Sequence, residues 1–307
     1  QLNLVHELLD RAADKGVAQR PMLRSPGVVL TYAQAAERVR AIHQVLVQDL
    51  GLTPGNRVLL RGGNSIGMAL AWLAVVRAGL VAVATMPLLR AKELGDIIDK
   101  AQPDVALCDA RLQEELVLAQ AAHPVLQRIL AFNSTDAQAT NSLEAMAARK
   151  SGPCPACPTA GSDIALLAFT SGTTGKPKAV VHTHRDVLAA CETWPRHVLR
   201  ARADDIVMGS PPLAFTFGLG GLLIFPMWAG ASVFFPDIAY TPQAMAQLMY
   251  ESGATICYTA PTFYRQMAPH VKALHAERGG PPPLRIRVSA REALPGATRQ
   301  LWQEARG

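Results

Sequence analysis

The sequence predicts an α/β chain, built of parallel-sheet subdomains with helices on both faces. Short apolar runs alternate with helix-period segments from residue 57 to 121, and a second such round begins at Ile164. Half of the residues are apolar and 18% are charged, a globular balance rather than a disordered one. Strand–helix–strand repetition of this length calls for parallel strands whose crossovers cover both faces of the sheet.

Leu4, Val5, Leu8 and Leu9 make one apolar helical face at the start. Residues 21–23 and 28–30 read as short strands around the turn Ser25-Pro26-Gly27. Thr31 followed three positions later by Gln34 is a capping box, opening a helix with the stripe Ala35, Val39, Ile42 and Leu46. Gly51 and Pro54-Gly55 end it. Strands at 57–60, 80–84 and 105–107 then precede helices at 65–78, 91–101 and 112–121. The second round places strands at 164–169, 179–183, 206–208, 231–235, 255–258 and 285–288. Between the rounds, 151–162 (SGPCPACPTAGS) reads as a linker or long surface loop. It divides the chain into a first α/β subdomain, 1–160, and a second, 161–307, which opens on a glycine-rich loop.

Several classes of function are excluded on composition and spacing. Five cysteines in 307 residues do not make a disulfide scaffold. Pro153, Pro155 and Pro158 forbid the helix that Cys154-x-x-Cys157 needs as a redox pair, and no second Cys/His pair lies nearby to complete a zinc site. Lys and Arg total 30 against 24 Asp and Glu, a formal charge of +6. These cations are scattered singly, as at Arg38, Arg61 and Arg77, without interleaved aromatics, so anionic small molecules rather than nucleic acid are the expected partners. No charge lies between Asp205 and Asp237, a stretch long enough to span a bilayer. Pro211, Pro212, Pro226 and Pro236 break it, and no basic cluster flanks it. A buried strand–loop–helix without membrane insertion is expected. Glu7, Asp10 and Asp14 rule out a signal peptide in the opening segment, which makes the chain's expected compartment cytoplasmic.

The chemistry concentrates at 165–183. A strand at 165–169 runs into Thr170-Ser171-Gly172-Thr173-Thr174-Gly175-Lys176-Pro177-Lys178, and a second strand follows. Gly172 and Gly175 let the backbone turn tightly so that its N–H groups converge on an anion. The hydroxyls of Thr170, Ser171, Thr173 and Thr174 add donors, and Lys176 and Lys178 add charge. This is the composition of a polyphosphate cradle. It is not a Walker A loop, because only two residues separate the glycines and Pro177 follows Lys176. His182 and His184, just beyond, read as structural histidines rather than a zinc pair.

The run TSGTTGKPKAV at 170–180 resembles the phosphate-binding signature of the adenylate-forming superfamily, which includes acyl-CoA synthetases, peptide-synthetase adenylation domains and firefly-type luciferases. Further blocks follow in the family order: LTYAQ at 30–34, RAGLVAVATMPLL at 77–89, SPPLAFTFGLGG at 210–221, TAPT at 259–262 and RVSAREALP at 287–295. The 210–235 stretch is most similar to benzoate- and 2-aminobenzoate-CoA ligases.

The resemblance implies a two-step reaction. A small aromatic carboxylic acid attacks the α-phosphate of Mg·ATP, giving an acyl-adenylate and pyrophosphate, and the thiol of CoA then takes the acyl group. It implies that Thr170 to Gly175, Lys176 and Lys178 hold the phosphates, with Mg2+ arriving on ATP and Thr174 at hand to meet it. It makes Phe215, Thr216, Phe217, Gly218, Gly220, Ala260 and Pro261 the acyl pocket, the phenylalanines as flat walls and the glycines as room for a ring. Ser289, Ala290, Arg291 and Glu292 become the loop against adenine and acyl group. A homodimer is compatible with this reading. A non-catalytic nucleotide-binding or interaction relative, and an adenylation domain that loads a carrier protein, stand as alternatives.

Two departures accompany the resemblance. Complete members continue well beyond the position matching Gly307, and the Lys they use in catalysis, on a small C-terminal domain, has no counterpart among these residues. The chain is therefore expected to be an N-terminal domain fragment that binds ATP weakly and adenylates poorly or not at all on its own. Arg291 stands where related ligases usually carry Gly, and is expected to crowd the nucleotide base.

Overall fold

A computed structural model of the chain describes residues 1–136, 138–170, 176–236 and 238–306. Its strands are β1 (Pro21–Ser25), β2 (Val28–Thr31), β3 (Arg57–Arg61), β4 (Val81–Thr85), β5 (Val105–Asp109), β6 (Arg128–Phe132), β7 (Ile164–Thr170), β8 (Lys178–Thr183), β9 (Ile206–Gly209), β10 (Ser232–Phe234), β11 (Ile256–Thr259) and β12 (Ile286–Ser289). Among the described residues they form two six-stranded sheets, in the orders β12-β11-β9-β10-β1-β2 and β6-β5-β3-β4-β7-β8. All neighbours are parallel except the hairpins β1–β2 and β7–β8, one at an edge of each sheet.

The sheets do not divide at residue 160, where the linker suggests a subdomain boundary. β1 and β2 pair into the sheet of β9–β12, and β7 and β8 complete the sheet begun by β3–β6. Alternation along a strand determines which face is buried and leaves the choice of neighbour to tertiary packing.

Three helices belong to the first part of the chain: α1 (Leu4–Leu8), α2 (Tyr32–Gln44) and α3 (Ile66–Arg77). The expected capping box opens α2, with Thr31 Oγ1 accepting from the Gln34 amide at 3.2 Å and Gln34 Oε1 accepting from the Thr31 amide at 2.9 Å. Its stripe Ala35, Val39 and Ile42 is buried. In α3, every residue from Met68 to Arg77 is buried, as a helix apolar all round requires. It packs on α2, β1, β3 and β4, so α2 and α3 join both sheets in one core. The uncharged 206–236 stretch contains β9, two short helices (Thr216–Leu219 and Phe225–Ala229) and β10. Among the described residues no helix is long and apolar enough to cross a membrane.

The 151–162 loop is tied down by buried Arg77. Arg77 Nη2 donates to the Cys154 carbonyl at 2.8 Å, and its own carbonyl accepts from the Cys157 amide at 3.0 Å and from Asn3 Nδ2 at 3.1 Å. No helix spans the two cysteines, whose thiols are free. Arg77 Nε also pairs with Asp10 at 3.0 Å, and Nη1 donates to His43 Nδ1 at 2.9 Å. His184 is structural as expected: it is fully buried and its Nδ1 accepts from the Leu4 amide at 2.9 Å, anchoring α1.

Burial, aided by the Arg77 charge, pushes His43 down to about 4. Its unfolded-state value is near 6.5, so the unfolded chain binds the proton first as pH falls, and stability is lost between pH 6.5 and 4. Denaturant unfolding at pH 7 and pH 4.5 should show a loss from this group of about 2–3 kcal/mol. His43→Gln keeps an acceptor for Arg77 and should remove that part of the pH dependence; an unchanged dependence in the variant would contradict the assignment.

Candidate active site

The C-terminal ends of parallel strands are where open α/β sheets bind ligands, because the following loops splay apart there. In one sheet, Arg61 of β3 is level with Thr85 of β4, and Ala82 of β4 with Leu166 of β7. The end of β7 therefore lies at the same edge as the loop after β3, two strand spacings or roughly 10 Å away. In the other sheet, Tyr258 of β11 is level with Gly209 of β9, and Thr259 with Ser289 of β12. The loops after β9, β11 and β12 accordingly leave one edge together.

Asn64, in the loop after β3, brings the two edges together. Its Nδ2 donates to the Pro211 carbonyl at 2.8 Å, and its Oδ1 accepts from the Leu213 amide at 2.8 Å. One carboxamide thus fastens the loop after β9 to the end of β3. Sequence reasoning passed over Asn64, although its place just after a parallel strand and just before Ser65, the N-cap of α3, marks it for a C-terminal-edge loop.

The predicted phosphate loop rises from this edge. Thr170, the last residue of β7, pairs with Lys178, the first of β8. Thr170, Lys176 and Lys178 are exposed, and neither lysine has an ion pair among the described residues. Ser171, Gly172, Thr173, Thr174 and Gly175 lie outside the described residues.

The predicted acyl segment is partly filled by the protein itself. A Cβ on Gly218 would meet the Pro212 carbonyl oxygen, one on Gly220 would come 2.9 Å from the Phe225 ring, and one on Gly221 2.6 Å from the Tyr258 ring. The room expected at Gly218 and Gly220 is thus taken up by close packing of the chain on itself. Phe217 packs edge-on against Tyr258, centroids 5.8 Å apart. Burial pushes the Tyr258 hydroxyl up to about 12, and it accepts from Trp194 Nε1 at 3.4 Å. What stays open is the rim: Thr216 is exposed, and Phe215 and Ala260 are half-buried, while Pro261 is buried at the first turn of the helix Pro261–Arg278.

The 289–292 loop closes the other side of that rim. Glu292 Oε1 accepts from the Thr262 amide at 3.2 Å and from Thr262 Oγ1 at 2.9 Å. Its carboxylate therefore caps a helix N-terminus that its own residue Ala260 does not cap. Ser289 Oγ is buried without a partner among the described residues, and Ala290 is half-buried. Arg291 has φ +80°, the left-handed region where a side chain costs about 1–3 kcal/mol and glycine is at ease. Its guanidinium carbon lies 5.0 Å from the centroid of the Phe215 ring.

A cleft of about 1200 Å³ opens elsewhere, between α2, the first turn of α3 and the helix Leu143–Ala147, and contains none of the predicted site residues. Its walls carry both signs of charge, and one of its amides, Asn133, is engaged by Ser65 and Asp109. The converging strand ends are the better candidate for chemistry. Among the described residues no group of three or more His, Cys, Asp or Glu side chains could hold a metal ion.

The AMP-binding enzyme family profile matches residues 9–307. The chain is 30% identical over 273 residues to a benzoate–CoA ligase of Thauera aromatica, covering 89% of this chain and 51% of that protein. It is 26% identical over 258 residues to an anthranilate–CoA ligase of Pseudomonas aeruginosa, covering 82% of this chain and 47% of that protein. A crystal structure of the anthranilate CoA ligase AuaEII with anthranoyl-AMP superposes with a TM-score of 0.88 at 28% identity, over 99% of this chain and 57% of that one. The chain thus spans about half the length of the curated relatives it matches.

Two variants test the rim. Asn64→Ala leaves the Leu213 amide and Pro211 carbonyl without partners and should cost about 2–3 kcal/mol in denaturant unfolding; a loss below 0.5 kcal/mol would show that the clamp is dispensable. Arg291→Gly should be about 1 kcal/mol more stable than Arg291→Ala, since both delete the stack on Phe215 and only glycine relieves the backbone. Equal stabilities would contradict the strain at Arg291.

Proposed function

The chain belongs to the AMP-binding enzyme family, and from that premise we propose that it carries the ATP- and acid-binding part of an acid–thiol ligase acting on an aromatic carboxylic acid. The observation that carries the proposal is the shared edge. The hairpin stem Thr170–Lys178 leaves the C-terminal end of one sheet, and Asn64, at the same end of that sheet, clamps the loop Pro211–Leu213 that leaves the other sheet after β9.

In this reading the hairpin holds the β- and γ-phosphates. Lys176 and Lys178 offset the charge that builds on pyrophosphate as it leaves, and fixed donors there lower the barrier without reorganising at the moment of reaction. Losing one such contact costs about 2–4 kcal/mol, a hundredfold or more in rate. Thr174 is the hydroxyl that the resemblance offers to the Mg2+ carried by ATP. The acid lies against Phe215 and Ala260 at the open rim, rather than in a slot beneath Gly218 and Gly220. Its carboxylate oxygen attacks the α-phosphorus, forming the acyl-adenylate as the bond to pyrophosphate breaks. In the second step the CoA thiol attacks the carbonyl carbon and AMP departs. The relatives named as benzoate– and anthranilate–CoA ligases support both the aromatic acid and CoA.

Thermal unfolding with Mg·ATP tests the nucleotide part directly. ATP at a hundred times its Kd should stabilise the chain by about 2.7 kcal/mol, and the double variant Lys176→Ala, Lys178→Ala should lose most of that shift. Stabilisation equal in the double variant, or none in either protein, would contradict the proposal.

A further inference from the structure

Arg291 joins three features that the adenylation chemistry leaves unused. Its backbone is held at φ +80°, its guanidinium lies over Phe215 at 5.0 Å, and no carboxylate pairs with it among the described residues. The nearest acid in sequence, Glu292, is committed to Thr262. The exposed fork of N–H donors therefore stands at the acyl rim with one face backed by an aromatic ring and its edges open. A planar guanidinium in that setting matches a carboxylate or a phosphate, because two parallel N–H···O bonds form at once.

Resting on the proposed acid-activating role of this site, we infer that Arg291 is a specificity-determining residue: it pairs with a second carboxylate on the ring, so that the preferred substrates are aromatic dicarboxylic acids rather than benzoate itself. The reacting carboxylate is the poorer partner. An oxygen held bidentate by a cation is a weaker nucleophile, and binding the ground state that tightly does not assist attack on the α-phosphorus. A second carboxylate, away from the reacting one, gains the ion pair without that penalty. ATP phosphates are also the poorer partner, since Lys176 and Lys178 already serve them on the other sheet.

Calorimetry on this chain with Mg·ATP present, titrating benzoate, benzene-1,3-dicarboxylate and benzene-1,4-dicarboxylate, tests the inference. One of the dicarboxylates should bind about tenfold or more tighter than benzoate. Arg291→Gly should bring the two affinities within about twofold, and Arg291→Lys should fall between, keeping the charge without the fork. Glycine is suited to φ +80°, so the variant is expected to fold. A preference for benzoate in the unmodified chain, or a dicarboxylate preference that survives Arg291→Gly, overturns the inference. So does a variant that alters only ATP affinity, which would make Arg291 a nucleotide contact or an obstruction to the base. Stabilisation by ATP without any dicarboxylate preference defeats this inference alone, whereas absence of ATP stabilisation defeats the ligase reading beneath it.

Discussion

The arrangement of the site depends on one carboxamide between two sheets. Asn64 donates to Pro211 and accepts from Leu213, satisfying two backbone groups that an apolar side chain would leave without partners. Helices α2 and α3 supply the cohesion between the sheets through their shared core, but apolar packing is non-directional and does not fix a loop to a register. The two hydrogen bonds do. They hold the start of the loop that carries Phe215, which leaves the other sheet after β9, against the end of β3, at the edge from which the stem of the β7–β8 hairpin also emerges.

The opposite ends of the same strands show what a purely structural polar network looks like. Arg285 Nε donates to Asp205 at 2.8 Å, and Asp205 also accepts from Thr255 Oγ1 at 2.7 Å and from the Arg202 amide at 2.8 Å. Although burial opposes it, this set of donors holds the Asp205 carboxyl below its ordinary value. Arg77, Asp10 and His43 form a similarly closed group where the 151–162 loop meets α3. In both, each cation meets an anion inside the protein. At the C-terminal edges the pattern changes: Lys176 and Lys178 are exposed without an ion pair among the described residues, and Arg291 is stacked without one. Unpaired cations on the hairpin and on the 289–292 loop are the charge distribution expected of a fold that positions an anionic ligand.

Much of this was legible in the sequence. Alternating strand and helix periods located most elements, the Thr31–Gln34 box marked the start of α2, and the density of glycine, hydroxyl and lysine at 170–178 pointed to phosphate before any resemblance was invoked. The departure at Arg291 was legible too, and its φ of +80° shows why glycine suits that position. The partnership of strands was not, because nothing in β1 or β7 specifies a neighbour more than 60 residues away in sequence. β6, Arg128–Phe132, was missed, its edge position leaving a mixed burial pattern with Arg128 exposed. The glycines at 218 and 220 were ambiguous for a physical reason: a missing side chain makes room equally for a ligand and for the chain's own Pro212 and Phe225. Asn64 was hidden because its importance lies in two backbone groups almost 150 residues further on.

Hydrogen exchange of the backbone amides, with and without Mg·ATP, tests the central claim most directly. If the edge shared by β3 and β7 is the nucleotide site, ATP should slow exchange across 170–178 and 289–292 and leave the cleft beside α2 and Asn133 unchanged. Protection confined to that cleft, with the hairpin unaffected, would contradict the account.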